Sequence, residues 1–355
     1  ITDGLIRDVD ADKDVTREDG NMVTNWKNQV AGFPAQDFAQ RDKGRDIPGS
    51  GRPTLKENIA ELGGHNSLIF REDELINMHE DAFDHLITGS GYTWFTVMRA
   101  YAQVGKLKDV SVFFGNLNCD DDRKCEGFWA GFEDDSDLWT GPRNGITFGR
   151  YNEDNPKLMG PRFEENKYYV VAGRLAEGTG TVLTEVYVDS AVPYGSVEFP
   201  VNPNANASVM AIGTERDAWQ HPGQESFDGE LARVLIYERA LSDDEMAWTL
   251  FALKSIYFGC ENQESETSDS DGSTTLRVEH DEASGTICLE EFRELPVSTY
   301  IDKMKAGWIG QMAGVGWGGP TEFEWVGERI PADKLPKWQP ELINQSEQDD
   351  IYVEM

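Results

Sequence analysis

The sequence predicts a mainly β protein: an antiparallel sandwich over residues 1–258, an acidic connector over 259–298 and a short α-helical region, incomplete as a domain, over 299–355. Three observations predict it. Apolar residues recur mainly with period two from Gly91 to Tyr237, composition turns abruptly polar after Cys260, and a helical period begins at Tyr300.

Taken in order, runs rich in β-branched and aromatic residues are separated by Gly, Pro, Asn and Asp. They include Tyr92–Met98, Val110–Phe114, Gly127–Phe132, Tyr168–Ala172, Val182–Val188 and Leu231–Tyr237. Many short strands with few helices between them argue for two packed sheets. In the last run Leu231, Val234 and Ile236 are placed on one face. Ser242 then precedes Glu245 by three positions, the spacing of a capping box, and Met246, Leu250 and Leu253 give the helix that follows one apolar face. Residues 261–273 hold no aliphatic or aromatic side chain. Over 261–298 eleven acids face two bases, 2 − 11 = −9, so the segment reads as a solvated connector. Beyond it, Ile301, Met304, Trp308, Ile309 and Met312 form a helical stripe that runs into Gly314-Val315-Gly316-Trp317-Gly318-Gly319-Pro320, where a helix cannot continue.

Charge excludes one class of partner. With 65 acidic and 32 basic residues the net charge is −33, and no Lys/Arg run offers a patch for a polyanion, so nucleic acid and anionic lipid are not expected ligands. No stretch approaches the length of a membrane-spanning helix, and no membrane insertion is expected. The first residues carry no signal peptide, so the protein is either cytosolic or, as the cysteines favour, a mature secreted, periplasmic or cell-surface form. Cys119 and Cys125 bracket a polar loop and Cys260 and Cys288 bracket the acidic stretch. Pairing of neighbours would close two loops in an oxidising compartment, the alternative being four free thiols.

The blocks Asp10–Val15, Val23–Gln29, Arg52–Leu55, Ser67–Phe70 and Phe227–Glu245 occur in the order used by laminin G-like, concanavalin A-like domains, and residues 1–257 resemble that family. The resemblance implies a jelly-roll sandwich that binds a glycan or a surface protein, and in many members a calcium ion at the rim. Asp8, Asp10, Asp12 and Asp14 alternate and share one side if the segment is extended, which makes them calcium candidates. A solvated acidic edge is the competing explanation, and Asp120, Asp121 and Asp122 form a second candidate of equal standing. Trp26, Trp94 and Trp129 are either sugar-stacking rings or core, with core the commoner use of a strand Trp.

The stretch Tyr300–Glu322, followed by Asn344–Glu354, resembles the opening helix, glycine turn and first metal motif of the ADP-ribosylglycohydrolase family. That family uses two magnesium ions to hydrolyse N- or O-glycosidic bonds. The resemblance implies Asp349 and Asp350 as magnesium ligands with Gln348 beside them, Glu322 and Asp350 as catalytic residues, and Gly316, Gly318 and Gly319 as the substrate loop. The family's second metal motif is absent from these 355 residues. The chain alone is therefore expected to bind without catalysing, unless another chain supplies the remainder. The alternative is a non-catalytic adhesion protein with structural C-terminal helices.

Overall fold

The computed structural model describes residues 1–32, 37–41, 51–79, 82–103, 111–119, 124–133, 137–146, 157–207, 209–215 and 226–259, and in the C-terminal region 305–307, 309–310, 324, 329–337 and 339. In chain order the strands are β1 (Leu5–Asp10), β2 (Val15–Arg17), β3 (Val23–Lys27), β4 (Asp37–Gln40), β5 (Thr54–Ile59), β6 (His65–Arg71), β7 (Leu75–Ile76), β8 (Tyr92–Ala100) and β9 (Ser111–Gly115). They continue with β10 (Asn118–Cys119), β11 (Cys125–Phe132), β12 (Asp137–Asn144), β13 (Leu158–Arg162), β14 (Tyr168–Leu175), β15 (Thr181–Val188), β16 (Gly195–Pro200), β17 (Ala211–Ile212) and β18 (Asp228–Tyr237). Helix α1 (Asp243–Phe258) follows.

They build two antiparallel sheets, a jelly-roll sandwich. Sheet A runs β16-β15-β14-β8-β18-β6-β5 with β1 also on β18, and sheet B runs β13-β12-β11-β9-β17-β7-β4-β3-β2 with β10 on β11. Alternation along the strands sends one set of side chains between the sheets. Trp26, Phe38, Phe70, Trp94, Phe114, Phe128, Phe132 and Phe227 are all buried there. Packing is close enough that a methyl group at Gly173 would lie 2.5 Å from the Trp94 indole.

The other face of sheet A is apolar as well, and α1 covers it. Met246, Leu250, Leu253 and Tyr257 pack on Phe95, Val97, Val170, Ala172 and Leu235. The capping box is complete: Glu245 N–H donates to Ser242 Oγ at 3.3 Å, and Ser242 N–H donates to Glu245 Oε2 at 2.9 Å. In β18 the inward residues Leu231, Val234 and Ile236 are spaced three and then two apart. A bulge between Leu231 and Arg233 makes that spacing possible.

The chain divides into two compact units, Ile1–Leu289 and Glu290–Met355. In the second, residues 305–307 and 309–310 are helical. Among the described residues no helix is long and apolar enough to cross a membrane.

Candidate functional site

Strands β2, β3 and β4 end sheet B. Trp26 pairs with Phe38 and both face the core, so Asn25, Lys27 and Asp37 point to the opposite, outer face. There an open groove of about 620 Å³ is lined by Asp14, Val15, Thr16, Asn25, Lys27 and Asp37. Its side chains hold one another in place. Asn25 Nδ2 donates to Asp37 Oδ2 at 3.2 Å, Asn28 N–H donates to Asp37 Oδ1 at 3.2 Å, and Lys27 Nζ lies 3.8 Å from Asp14 Oδ2. Asp14 has a φ of 49°, a left-handed conformation that Asp tolerates and that carries the chain from β1 into β2. Carboxylates, an amide, an ammonium group and a hydroxyl therefore line one shallow wall, donors beside acceptors. That chemistry suits hydroxyl groups, which donate and accept at once. None of the six is a histidine or cysteine.

Of the four alternating acids, only Asp14 reaches this groove. The extended segment ends at Asp10, so Asp12 and Asp14 fall in the turn beyond β1 and each acid has a protein partner of its own. Asp8 receives both Nε and Nη2 of Arg233 at 2.9 Å. Asp10 accepts from Asp12 N–H at 3.0 Å and lies 3.3 Å from Lys13 Nζ. Asp12 meets His65 Nδ1 at 2.5 Å and accepts from Asn66 N–H at 2.9 Å. Among the described residues no three His, Cys, Asp or Glu side chains gather as a metal site would need. Cys125 is disulfide-bonded, and its cross-strand neighbour in the β10–β11 ladder is Cys119. Asp120, Asp121, Asp122, Cys260, Cys288, Gly316, Gly318, Gly319, Glu322, Gln348, Asp349 and Asp350 lie outside the described residues.

The tryptophans separate into two environments. Trp26 and Trp94 are fully buried between the sheets. Trp129 is equally buried but faces the other way, in a cluster with Val112, Leu117 and Trp139 on the outer side of sheet B. The Arg143 guanidinium lies 4.2 Å over the Trp129 ring. Each large side chain has a glycine as its cross-strand partner, Trp129 with Gly141, Trp139 with Gly131 and Arg143 with Gly127. With Trp129 1% exposed, it offers no ring face to a sugar.

Residues 99–247 match the family model of the concanavalin A-like lectin/glucanases superfamily. The match supports the laminin G-like part of the sequence reading, and it runs from the end of β8 into the first turns of α1. No curated protein matches the chain. Among solved structures the chain is similar to Trypanosoma rangeli sialidase in complex with sialic acid, with 16% identity over 72% of this chain and 34% of that one and a TM-score of 0.42. It is also similar to the binding domain of Paraclostridial Mosquitocidal Protein 1, with 11% identity over 70% and 52% and a TM-score of 0.39. A third is domain 4 of AbnA, an extracellular arabinanase from Geobacillus stearothermophilus, in complex with arabinotriose, with 18% identity over 68% and 96% and a TM-score of 0.36. The chain spans about a third of the length of the sialidase.

Proposed function

We propose that the sandwich is a glycan-binding domain and that the groove on the outer edge of sheet B receives a neutral oligosaccharide. The observation that carries this reading is the mixed donor and acceptor wall of Asp14, Thr16, Asn25, Lys27 and Asp37, open enough for an extended sugar chain. The lectin/glucanase family model over residues 99–247 supports the same ligand class. Calorimetric titration of the full chain with neutral oligosaccharides of several backbones tests it. Lys27→Ala, at a side chain 57% exposed, and Asn25→Ala should each weaken binding by about tenfold while leaving the melting temperature nearly unchanged. Absence of binding across the panel, or wild-type affinity in both variants, overturns the reading.

For residues 299–355 we propose the start of a magnesium-dependent hydrolase of ADP-ribosyl groups, with Glu322, Asp349 and Asp350 in the roles the resemblance implies. Helical structure at 305–307 and 309–310 supports its opening helix. Heat on adding magnesium and ADP-ribose, abolished by Asp350→Ala, is the expected result; no heat in the wild type counts against it. Export belongs to the same proposal, since the disulfide at Cys125 fits an oxidising compartment.

A further inference from the structure

At one end of sheet A, on the face that α1 leaves uncovered there, cations converge in a chain that is otherwise strongly acidic. The centre is Glu230 on β18, fully buried. Its carboxylate accepts from Ser67 Oγ at 2.7 Å, from Lys56 Nζ at 3.1 Å, and from Arg99, Tyr101 and Tyr168. Five side chains thus donate to a group with about four lone-pair sites. Donors are in surplus. Lys56 has three N–H bonds and is 37% exposed, and Arg99 keeps a buried Nε with no hydrogen-bond partner among the described residues.

Arg71 adds a third cation. Its guanidinium lies 4.0 Å over the Tyr101 ring, its side chain is 55% exposed, and Asp228 is 3.8 Å away. Lys56, Arg71 and Arg99 meet Asp228 and Glu230 directly, and Asp73, which accepts from the Arg71 backbone N–H at 2.8 Å, brings the balance to 3 − 3 = 0, a neutral spot in a chain of net charge −33. Lys56 shares Glu230 Oε1 with the Tyr101 hydroxyl while Arg71 covers the ring of the same tyrosine, so the two exposed cations flank Tyr101. A long polyanion would meet the surrounding negative surface. A small ligand with one charge feels mainly the cations within a Debye length, about 8–10 Å.

We propose that Lys56, Arg71 and Tyr101 form a second binding site, on the opposite sheet from the groove, for the single oxyanion of an acidic sugar, a carboxylate or a sulfate ester. Glu230 is the buried counter-charge that fixes Arg99, Tyr101 and Tyr168 beneath it. Arg71 supplies a planar pair of donors to the anion, Lys56 a point charge, and the tyrosine ring the base on which the Arg71 guanidinium rests.

Titrating the full chain with glucuronic acid, glucose 6-sulfate, glucose and inorganic sulfate, observed by NMR, tests this. One or both acidic sugars should bind and shift Tyr101, glucose and inorganic sulfate should leave Tyr101 unmoved, and the acidic sugar preferred tells carboxylate from sulfate. Arg71→Ala and Lys56→Ala should each weaken the acidic sugar by about tenfold or more, Arg71→Lys should recover part of the loss, and high salt should weaken binding. Asn25→Ala in the groove should leave this binding unchanged, so the two sites fail or succeed separately. Silence with both acidic sugars, equal binding of glucose or inorganic sulfate, or wild-type affinity in folded Arg71→Ala and Lys56→Ala overturns the proposal.

Discussion

Glu230 has no exposed surface, yet it stays ionised. Burial alone pushes its carboxyl upward; hydrogen bonds from Tyr101, Tyr168, Ser67 and Arg99 outweigh that and hold it at about 2. The two tyrosines are pushed up by the same burial, so they remain donors. A carboxyl whose pKa falls from 4.5 to about 2 on folding stabilises the fold fully above about pH 4.5, and that contribution disappears as pH drops toward 2. In urea melts the wild type should therefore lose more stability between about pH 5 and pH 2.5 than Glu230→Gln does. At neutral pH the variant should be weaker by about 3–5 kcal/mol, because Arg99 is left buried beside a neutral group. Equal acid limbs in the two proteins would show that Glu230 carries no linkage. Its sequence signal was present but faint: one acid directly before an inward Leu, in a strand whose other face is apolar. Its partners come from β5, β6, β8 and β14, as many as 174 residues away, and no local pattern announces that convergence.

At the scale of elements, α1 is the piece most legible in the sequence. Ser242, Glu245 and the Met246/Leu250/Leu253 face mark its start and its buried side, and the structure adds Tyr257 to that side. Arg239 doubles the cap by donating to both Glu245 oxygens at 2.8 and 2.7 Å, which holds that carboxyl at about 2. Ser242→Ala should cost about 1 kcal/mol in chemical denaturation, with Ser242→Asp recovering most of it. The long strands β8, β11, β14, β15 and β18 were equally legible because each spans several alternations. Strands β2, β4, β7, β10 and β17 hold two to four residues, too few for a period to show. The groove lies on β2, β3 and β4; the block Val23–Gln29 marks β3 as part of the sandwich, but nothing in the sequence marks Thr16, Asn25, Lys27 or Asp37 as ligand contacts, whereas the neighbouring run of aspartates stands out. Alternation placed those aspartates on one edge only as long as the strand continued; the turn after Asp10 dispersed them.

For the whole molecule, the charge of −33 is a cost that solvent ions reduce. Raising salt from a few millimolar to about 1 M should stabilise the fold by about 1 kcal/mol, a rise of ~2–4 °C in melting temperature by calorimetry. A flat salt response would mean that the acids are already neutralised pairwise. Topology imposes a different constraint. Strand β18, the last of the sandwich, lies in the interior of sheet A, with β8 along one side and β6 and β1 on the other. During synthesis the sheet therefore keeps a gap at its centre until Tyr237 has left the ribosome. Until then β8 shows an open apolar edge to every other nascent copy nearby, which makes the interval before β18 emerges prone to aggregation.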